Sequence, residues 1–186
     1  MNIKYASLLI FAIVFIANAA FAADVNNTYK LNQGDLLQIS VWGEETLQKE
    51  VRVLPDGSIS FPLAGRVEVA NETSTEVEKR VTEKLKVYLP DPQVSVVVTN
   101  AEGNKAYVIG KVIRPGSILL TGSTTAMQAI SMAGGLDKFA DLSAIKVLRG
   151  VGKNQTIVNV NYNNLIRGQG LDSNILLKAG DTILVP

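Results

Sequence analysis

The hydrophobic period of this chain switches from two to 3.6 and back again, and it does so twice. Leu37, Ile39 and Val41 alternate with Gln38 and Ser40, the pattern of a half-buried strand. Val51 and Val53, then Ile59 and Phe61, continue the alternation on either side of Pro55-Asp56-Gly57-Ser58. Proline fixes φ and glycine accepts a positive φ, so this tetrapeptide predicts a turn, and residues 50–61 read as a hairpin. Val77, Val81, Leu85 and Tyr88 then recur at helical spacing, with Lys79, Arg80, Glu83, Lys84 and Lys86 on the opposite, solvated face. Thr73 and Glu76 have the spacing of a capping box. Pro90-Asp91-Pro92 ends the helix, and Val94, Val96 and Val98 restore period two. Strands grouped around one helix, instead of strands and helices in strict alternation, predict an α+β unit.

The second half repeats the plan. A polar break at Asn100-Ala101-Glu102-Gly103-Asn104 reads as a domain boundary. Tyr107-Val108-Ile109-Gly110 and Ile118-Leu119-Leu120 are strands on either side of Arg114-Pro115-Gly116. Thr124 or Thr125 caps a short helix whose buried side takes Met127, Ile130 and Met132 or Ala133, and Gly134-Gly135 stops it. Ile145 and Val147, then Ile157, Val158 and Val160, read as strands, and residues 161–167 as a short helix. Gly180-Asp181 leads into a last strand from Thr182 to Val185. Gly34-Asp35 before Leu37 and Gly180-Asp181 before Ile183 echo each other, a similarity of construction too short to demonstrate duplication.

Composition matters most at the N-terminus. Lys4 is the one charged side chain before Asp24, and Ala6 to Ala17 is apolar except for Ser7. Ala20-Phe21-Ala22 follows as a small-x-small triplet, giving the three regions of a secretory signal peptide over residues 1–22 with cleavage between Ala22 and Ala23. The alternative is a retained anchor, but the apolar core is shorter than the roughly 20 residues that span a bilayer. Residues 23–28 are a polar, flexible lead-in. Without Lys4, 17 basic residues face 17 acidic ones, so the exported chain is formally neutral and carries no nucleic-acid footprint.

The chain of 186 residues has no cysteine and no histidine. That excludes disulfides, Cys/His metal sites, a thiol nucleophile and a Ser-His-Asp triad. The carboxylate pairs Glu44/Glu45, Glu76/Glu78 and Asp137/Asp141 are the remaining acid–base candidates, and each has a structural reading. Adjacent strand residues point apart, acidic residues suit a helix start, and aspartates after a double glycine form turns. No EF-hand run of oxygen ligands is present, and Gly134-Gly135 ends a helix where a phosphate loop would open one. No catalytic residue, metal site or cofactor is expected. Carbohydrate contact is a further possibility, since Trp42 beside Gly43 at a strand end offers a flat aromatic face, although burial as a core or interface plug is the commoner fate of tryptophan.

The order of motifs resembles a known family. Tyr29-x-Leu31-x-x-Gly34-Asp35-x-Leu37-x-Ile39-x-Val41-Trp42, then Val53-x-Pro55-Asp56-Gly57-x-Ile59-x-x-Pro62-Leu63-x-Gly65, then Asp91-Pro92-Gln93-Val94-x-Val96 are similar to the export domain of the polysaccharide export outer-membrane family. Val108-x-Gly110-x-Val112, Arg114-Pro115-Gly116, Ala133-Gly134-Gly135 and Gly180-Asp181-x-Ile183-x-Val185-Pro186 resemble the soluble-ligand-binding β-grasp (SLBB) domain that follows it. The implied organisation is an export domain over residues 29–102 and a β-grasp domain over 103–186.

The resemblance implies a non-catalytic subunit of an exopolysaccharide or capsule export channel, working in the periplasm in association with the outer membrane. It implies a homo-oligomeric ring, polysaccharide as the passing partner and an inner-membrane polysaccharide co-polymerase. Well-known members are lipidated on a cysteine and continue into a membrane-crossing helix. This sequence has no cysteine and stops at Pro186, so the expectation is an unlipidated protein completed by a separate outer-membrane barrel or pore subunit. The motif residues are expected to be structural, and the sequence assigns no sugar-contacting residue. A stand-alone periplasmic glycan-binding module that forms no conduit is the alternative.

Overall fold

The computed structural model describes residues 28–186. The expected signal peptide, its Ala22/Ala23 cleavage site and all but the last residue of the lead-in lie outside the described residues. The fold is α+β, with two separate hydrophobic cores.

In the first unit, β1 (Leu36–Val41) is the centre of a three-stranded antiparallel sheet between β2 (Glu44–Arg52) and β5 (Val94–Asn100). A separate hairpin is formed by β3 (Ser58–Phe61) and β4 (Gly65–Glu68). Helix α1 (Ser74–Leu85) starts at the expected capping box: the Thr73 hydroxyl accepts from the Glu76 amide, and the Glu76 carboxylate accepts from the Thr73 amide. Val77, Val81 and Leu85 are fully buried against Leu37, Ile39 and Val96, each contributing about 1.5–3 kcal/mol of hydrophobic stabilisation. Glu78 fastens the helix to the sheet by accepting from the Val96 amide at 2.9 Å.

Two expectations fail here. Residues 50–61 are not one hairpin. Val51 pairs with Leu37 of β1, whereas Ile59 pairs with Val67 of β4, so the Pro55–Ser58 turn joins two different sheets. Alternation identified the strands but carries no information on which strand each one pairs with. Tyr88 is exposed, because α1 ends at Leu85 and Lys86 is its C-cap; the spacing continued past the helix that would have made it meaningful.

The second unit is a five-stranded sheet in the order β7-β6-β10-β8-β9, made by β6 (Lys105–Gly110), β7 (Gly116–Leu119), β8 (Ile145–Arg149), β9 (Thr156–Val160) and β10 (Thr182–Val185). The central β10 runs parallel to β6 and antiparallel to β8. Helix α2 (Ala126–Met132), capped by Thr125 with Gln128 completing the box, and the short α3 (Tyr162–Ile166) cover one face. The buried side of α2 is Ala126, Ala129 and Ile130, with Ala133 following; of the two expected alternatives, Ala133 joins the core and Met132 is exposed. The parallel β6–β10 contact is close enough that a Cβ on Gly110 would sit 1.9 Å from the Val185 carbonyl oxygen.

The Gly-Asp echo is real in geometry. In Asn32-Gln33-Gly34-Asp35 the Asp35 carboxylate accepts from the Asn32 amide at 2.8 Å, and in Lys178-Ala179-Gly180-Asp181 the Asp181 carboxylate accepts from the Lys178 amide at 2.8 Å. Both glycines have positive φ, +96° and +85°. The sheets that follow differ in strand number, order and direction, so the turn is shared while the surrounding topology is not.

Candidate functional site

Two places combine unusual geometry with polar chemistry: the junction between the units and a groove around Trp42. At the junction, the two Gly-Asp turns flank a polar cavity of ≈ 280 Å³ lined by Asn32, Gln33, Asn71, Gly103 and Gly180, among others. Asp35 is wholly buried there. Its carboxylate accepts from the Tyr29 hydroxyl at 2.6 Å, the Asn32 amide at 2.8 Å and the Gly103 amide at 2.9 Å. Burial, reinforced by the Asp35 bond, pushes the Tyr29 phenol well above its ordinary range. Asp35 therefore ties the start of the first unit to the connector into the second. Arg52 adds a clamp, donating to the Gly34 carbonyl at 3.0 Å and to Glu102 at 2.8 Å. Asp181, also buried, is satisfied inside its own unit by both the Nε and Nη2 of Arg149, at 2.9 and 2.7 Å. That bond holds the Arg149 guanidinium more firmly protonated than usual.

The groove lies at the opposite end of β1. Leu37, Ile39 and Val41 face the core, so strand parity sends Ser40 and Trp42 outward. The Trp42 amide still donates to the Gln93 carbonyl at 2.9 Å, and Gly43 turns the chain with φ +79°. The tryptophan backbone is thus held at the strand end while its side chain is 85% exposed. This overturns the expectation of a core plug.

The β1–β2 register explains the shape. Ile39 pairs with Lys49 and Val41 with Glu44, so residues 45–48 all bulge opposite Ser40. Within the bulge Leu47 drops into the core, and Glu45 and Gln48 wall an open groove of ≈ 660 Å³ that also includes Trp42, Glu44 and Gln93. That volume falls in the range of small-molecule sites. Its lining offers two carboxylates, two amides and serine hydroxyls around an indole, and no lysine or arginine. A third, shallower pocket lies beside α2, lined by Thr121, Ser123, Thr124, Gln128 and Ser131.

Of the family-motif residues, Val41, Trp42, Gln93 and Val94 line the groove, and the others fall outside it. Gly34, Asp35, Gly180 and Asp181 build the paired turns. Pro55, Asp56 and Gly57 form the turn between sheets, where Asp56 accepts from the Ser58 amide and hydroxyl and from Arg66; the Ser58 bonds lead in holding its carboxyl below the usual range. Gly57 packs so tightly that an added Cβ would meet the Ala70 Cβ at 2.7 Å. Pro62 accepts from Ala64, Asp91 takes a φ of +47°, and Pro92 is buried at the entrance to β5. Gly110 permits the β6–β10 approach. Arg114, Pro115 and Gly116 shape the β6–β7 connection, the Arg114 amide donating to the Ala133 carbonyl, and Gly134 and Gly135 close α2 with positive φ.

The other carboxylate pairs have structural duties. Glu76 caps α1 and Glu78 holds β5. Asp137 accepts from the Phe139 amide, and Asp141 from Ser143. Among the described residues no cluster of three metal-ligating side chains exists, and no helix is long and apolar enough to cross a membrane.

Comparison with known proteins agrees with this architecture. Residues 23–99 match the family described as polysaccharide biosynthesis/export protein, and residues 104–185 match the SLBB domain. The chain is 34% identical over 173 residues to the polysialic acid transport protein KpsD of Escherichia coli, covering 91% of this chain and 30% of that protein. It is 30% identical over 183 residues to the EPS I polysaccharide export outer membrane protein EpsA of Ralstonia nicotianae, covering 84% of this chain and 47% of the relative. The capsule polysaccharide export outer membrane protein CtrA of Neisseria meningitidis is 25% identical over 207 residues, covering 90% and 50%. The chain therefore spans a third to a half of the length of these relatives.

Proposed function

Because the chain belongs to the polysaccharide export family, we propose that it is a non-catalytic subunit of the apparatus carrying an exopolysaccharide or capsule polymer across the periplasm to the outer membrane. The observation that supports this most directly is the succession of an export domain and an SLBB domain, aligned together with relatives whose names all describe polysaccharide transport or export. The carboxylate pairs outside the groove fit the reading, since Glu76 and Glu78 are engaged in a helix cap and a helix–sheet contact and Asp137 and Asp141 in turns. The protein works as a homo-oligomeric ring, receives polymer from an inner-membrane co-polymerase and passes it towards an outer-membrane barrel or pore. A ring requires a head-to-tail interface that closes on itself.

Deleting the gene is the test. Loss of surface and secreted polysaccharide with normal sugar-nucleotide pools is expected. Unchanged polymer outside a deletion strain that has no paralogue refutes the proposal. The mass of the purified protein in solution tests the ring separately, and a strict monomer at high concentration removes that part of the reading.

A further inference from the structure

We propose that the groove around Trp42 is a saccharide-binding site that accepts uncharged stretches of polymer and disfavours stretches bearing carboxylates. The proposal deepens the export reading and rests on it for the source of the ligand. Three features of the groove carry it.

The first is the indole. A tryptophan exposed to 85% at a position fixed by strand pairing is an aromatic plate left open by the described residues. A pyranose ring presents a face of C–H bonds, weakly positive at hydrogen, that packs on the negative face of an aromatic ring. The second is the polar rim. Glu44, Glu45, Gln48 and Gln93 offer carboxylate and amide oxygens as acceptors for sugar hydroxyls, and the two amides also donate. The third is charge. Sites that bind polyanions use arginine and lysine. This lining has two carboxylates and no basic side chain, so a uronate or sialate unit would meet like charge and gain no counter-ion. The bulge over residues 45–48 brings the acidic and amide side chains of β2 beside the indole, where a regular ladder would have continued.

Trp42 is the single tryptophan of the chain, so its emission reports on this groove alone. The purified full chain is titrated with chitohexaose, maltohexaose and hexagalacturonate, three probes of equal length. Saturable quenching or a shift of emission with at least one neutral hexamer, and a response to hexagalacturonate at least about tenfold weaker, is expected from the loss of one favourable contact. Calorimetry on Trp42→Ala should show about tenfold or greater loss of affinity for the neutral hexamer, the scale of a lost aromatic contact. The double variant Glu44→Gln/Glu45→Gln should narrow the gap between neutral and acidic probes while keeping the indole.

Hexagalacturonate binding as well as or better than the neutral hexamers overturns the proposal, and so does silence towards all three. Emission that moves with protein concentration and not with sugar also overturns it, assigning Trp42 to a contact between copies. The deletion phenotype separates the two levels: lost export with no saccharide binding refutes the groove alone, whereas intact export in the deletion strain refutes the export reading.

Discussion

Replacing Gly103 by alanine tests how the two units are held together. Gly103 does not need glycine for a positive φ; it needs it for space. A Cβ there would lie 2.3 Å from the Gln33 carbonyl oxygen, 2.8 Å from the Asn32 Cβ and 2.9 Å from Asp35 Oδ1. Ordinary carbon–oxygen contacts begin near 3.3 Å, so the connector must retreat by roughly 1 Å. That displacement carries the Gly103 amide, now 2.9 Å from Asp35 Oδ1, beyond hydrogen-bonding distance. A hydrogen bond to a charged group contributes about 1.5–3 kcal/mol, and residual crowding against Asn32 adds to the loss. The expected destabilisation is about 2–4 kcal/mol, which for a chain of this size lowers the melting temperature by roughly 4–15 °C. Differential scanning calorimetry should show the main transition moving down or splitting as the units uncouple. Gly122→Ala is the control, because nothing lies within 4 Å of its added Cβ, and it should change stability by no more than about 0.5 kcal/mol. A Gly103→Ala protein that melts within about 1 °C of the parent in one transition refutes the reasoning, since a backbone clash of this size would have to cost nothing.

Four further outcomes are expected. Arg149→Ala leaves Asp181 buried beside the Lys178 amide alone, so urea denaturation should report a loss of about 3 kcal/mol, borne by the second unit. Thr73→Ala removes one half of the α1 capping box and should cost about 1 kcal/mol by the same measurement. Trp42→Ala, at an exposed position, should leave stability within about 0.5 kcal/mol, separating its role in binding from any role in folding. The Tyr29 phenol, raised in the folded state above its ordinary value of 10.0, contributes stability that is complete below that pH and declines as pH rises beyond it. Absorbance at 295 nm should show a late-titrating tyrosine that is missing in Tyr29→Phe, and the parent should lose stability above pH 10 more steeply than the variant.

Period and capping made most of the elements legible. The box at Thr73 and Glu76, the stripe Val77-Val81-Leu85 and the strand Leu37-Ile39-Val41 are local patterns, and each forms as its residues dictate. Pairing was not legible, which is why residues 50–61 looked like one hairpin: Ile59 selects Val67, and nothing within the segment says so. The exposure of Trp42 is written in the alternation: with Leu37, Ile39 and Val41 inward, parity points residue 42 outward, against the general tendency of tryptophan to be buried. The acidic groove depends on three extra residues in β2 relative to β1, a register shift no periodicity announces.

The two Gly-Asp turns show how one local sequence acquires different roles from its surroundings. Each buries a carboxylate that accepts from an amide three residues earlier. Asp181 finds the bidentate Arg149 within its own sheet, so its charge is neutralised locally and asks nothing of the other unit. Asp35 has no such cation among its hydrogen-bond donors: they are Tyr29, Asn32 and Gly103, and Gly103 belongs to the connector. A buried carboxylate loses heavily when a donor leaves, because the remaining lone pairs cannot be rehydrated without opening the site. The first unit is therefore fully satisfied only while the connector is in place. Substituting Asp35 by alanine should consequently loosen the junction before it unfolds either core, seen as faster amide exchange at residues 102–105 with protection retained in β1 and β10. Uniform loss of protection across both sheets would show that Asp35 supports the cores and not the joint between them.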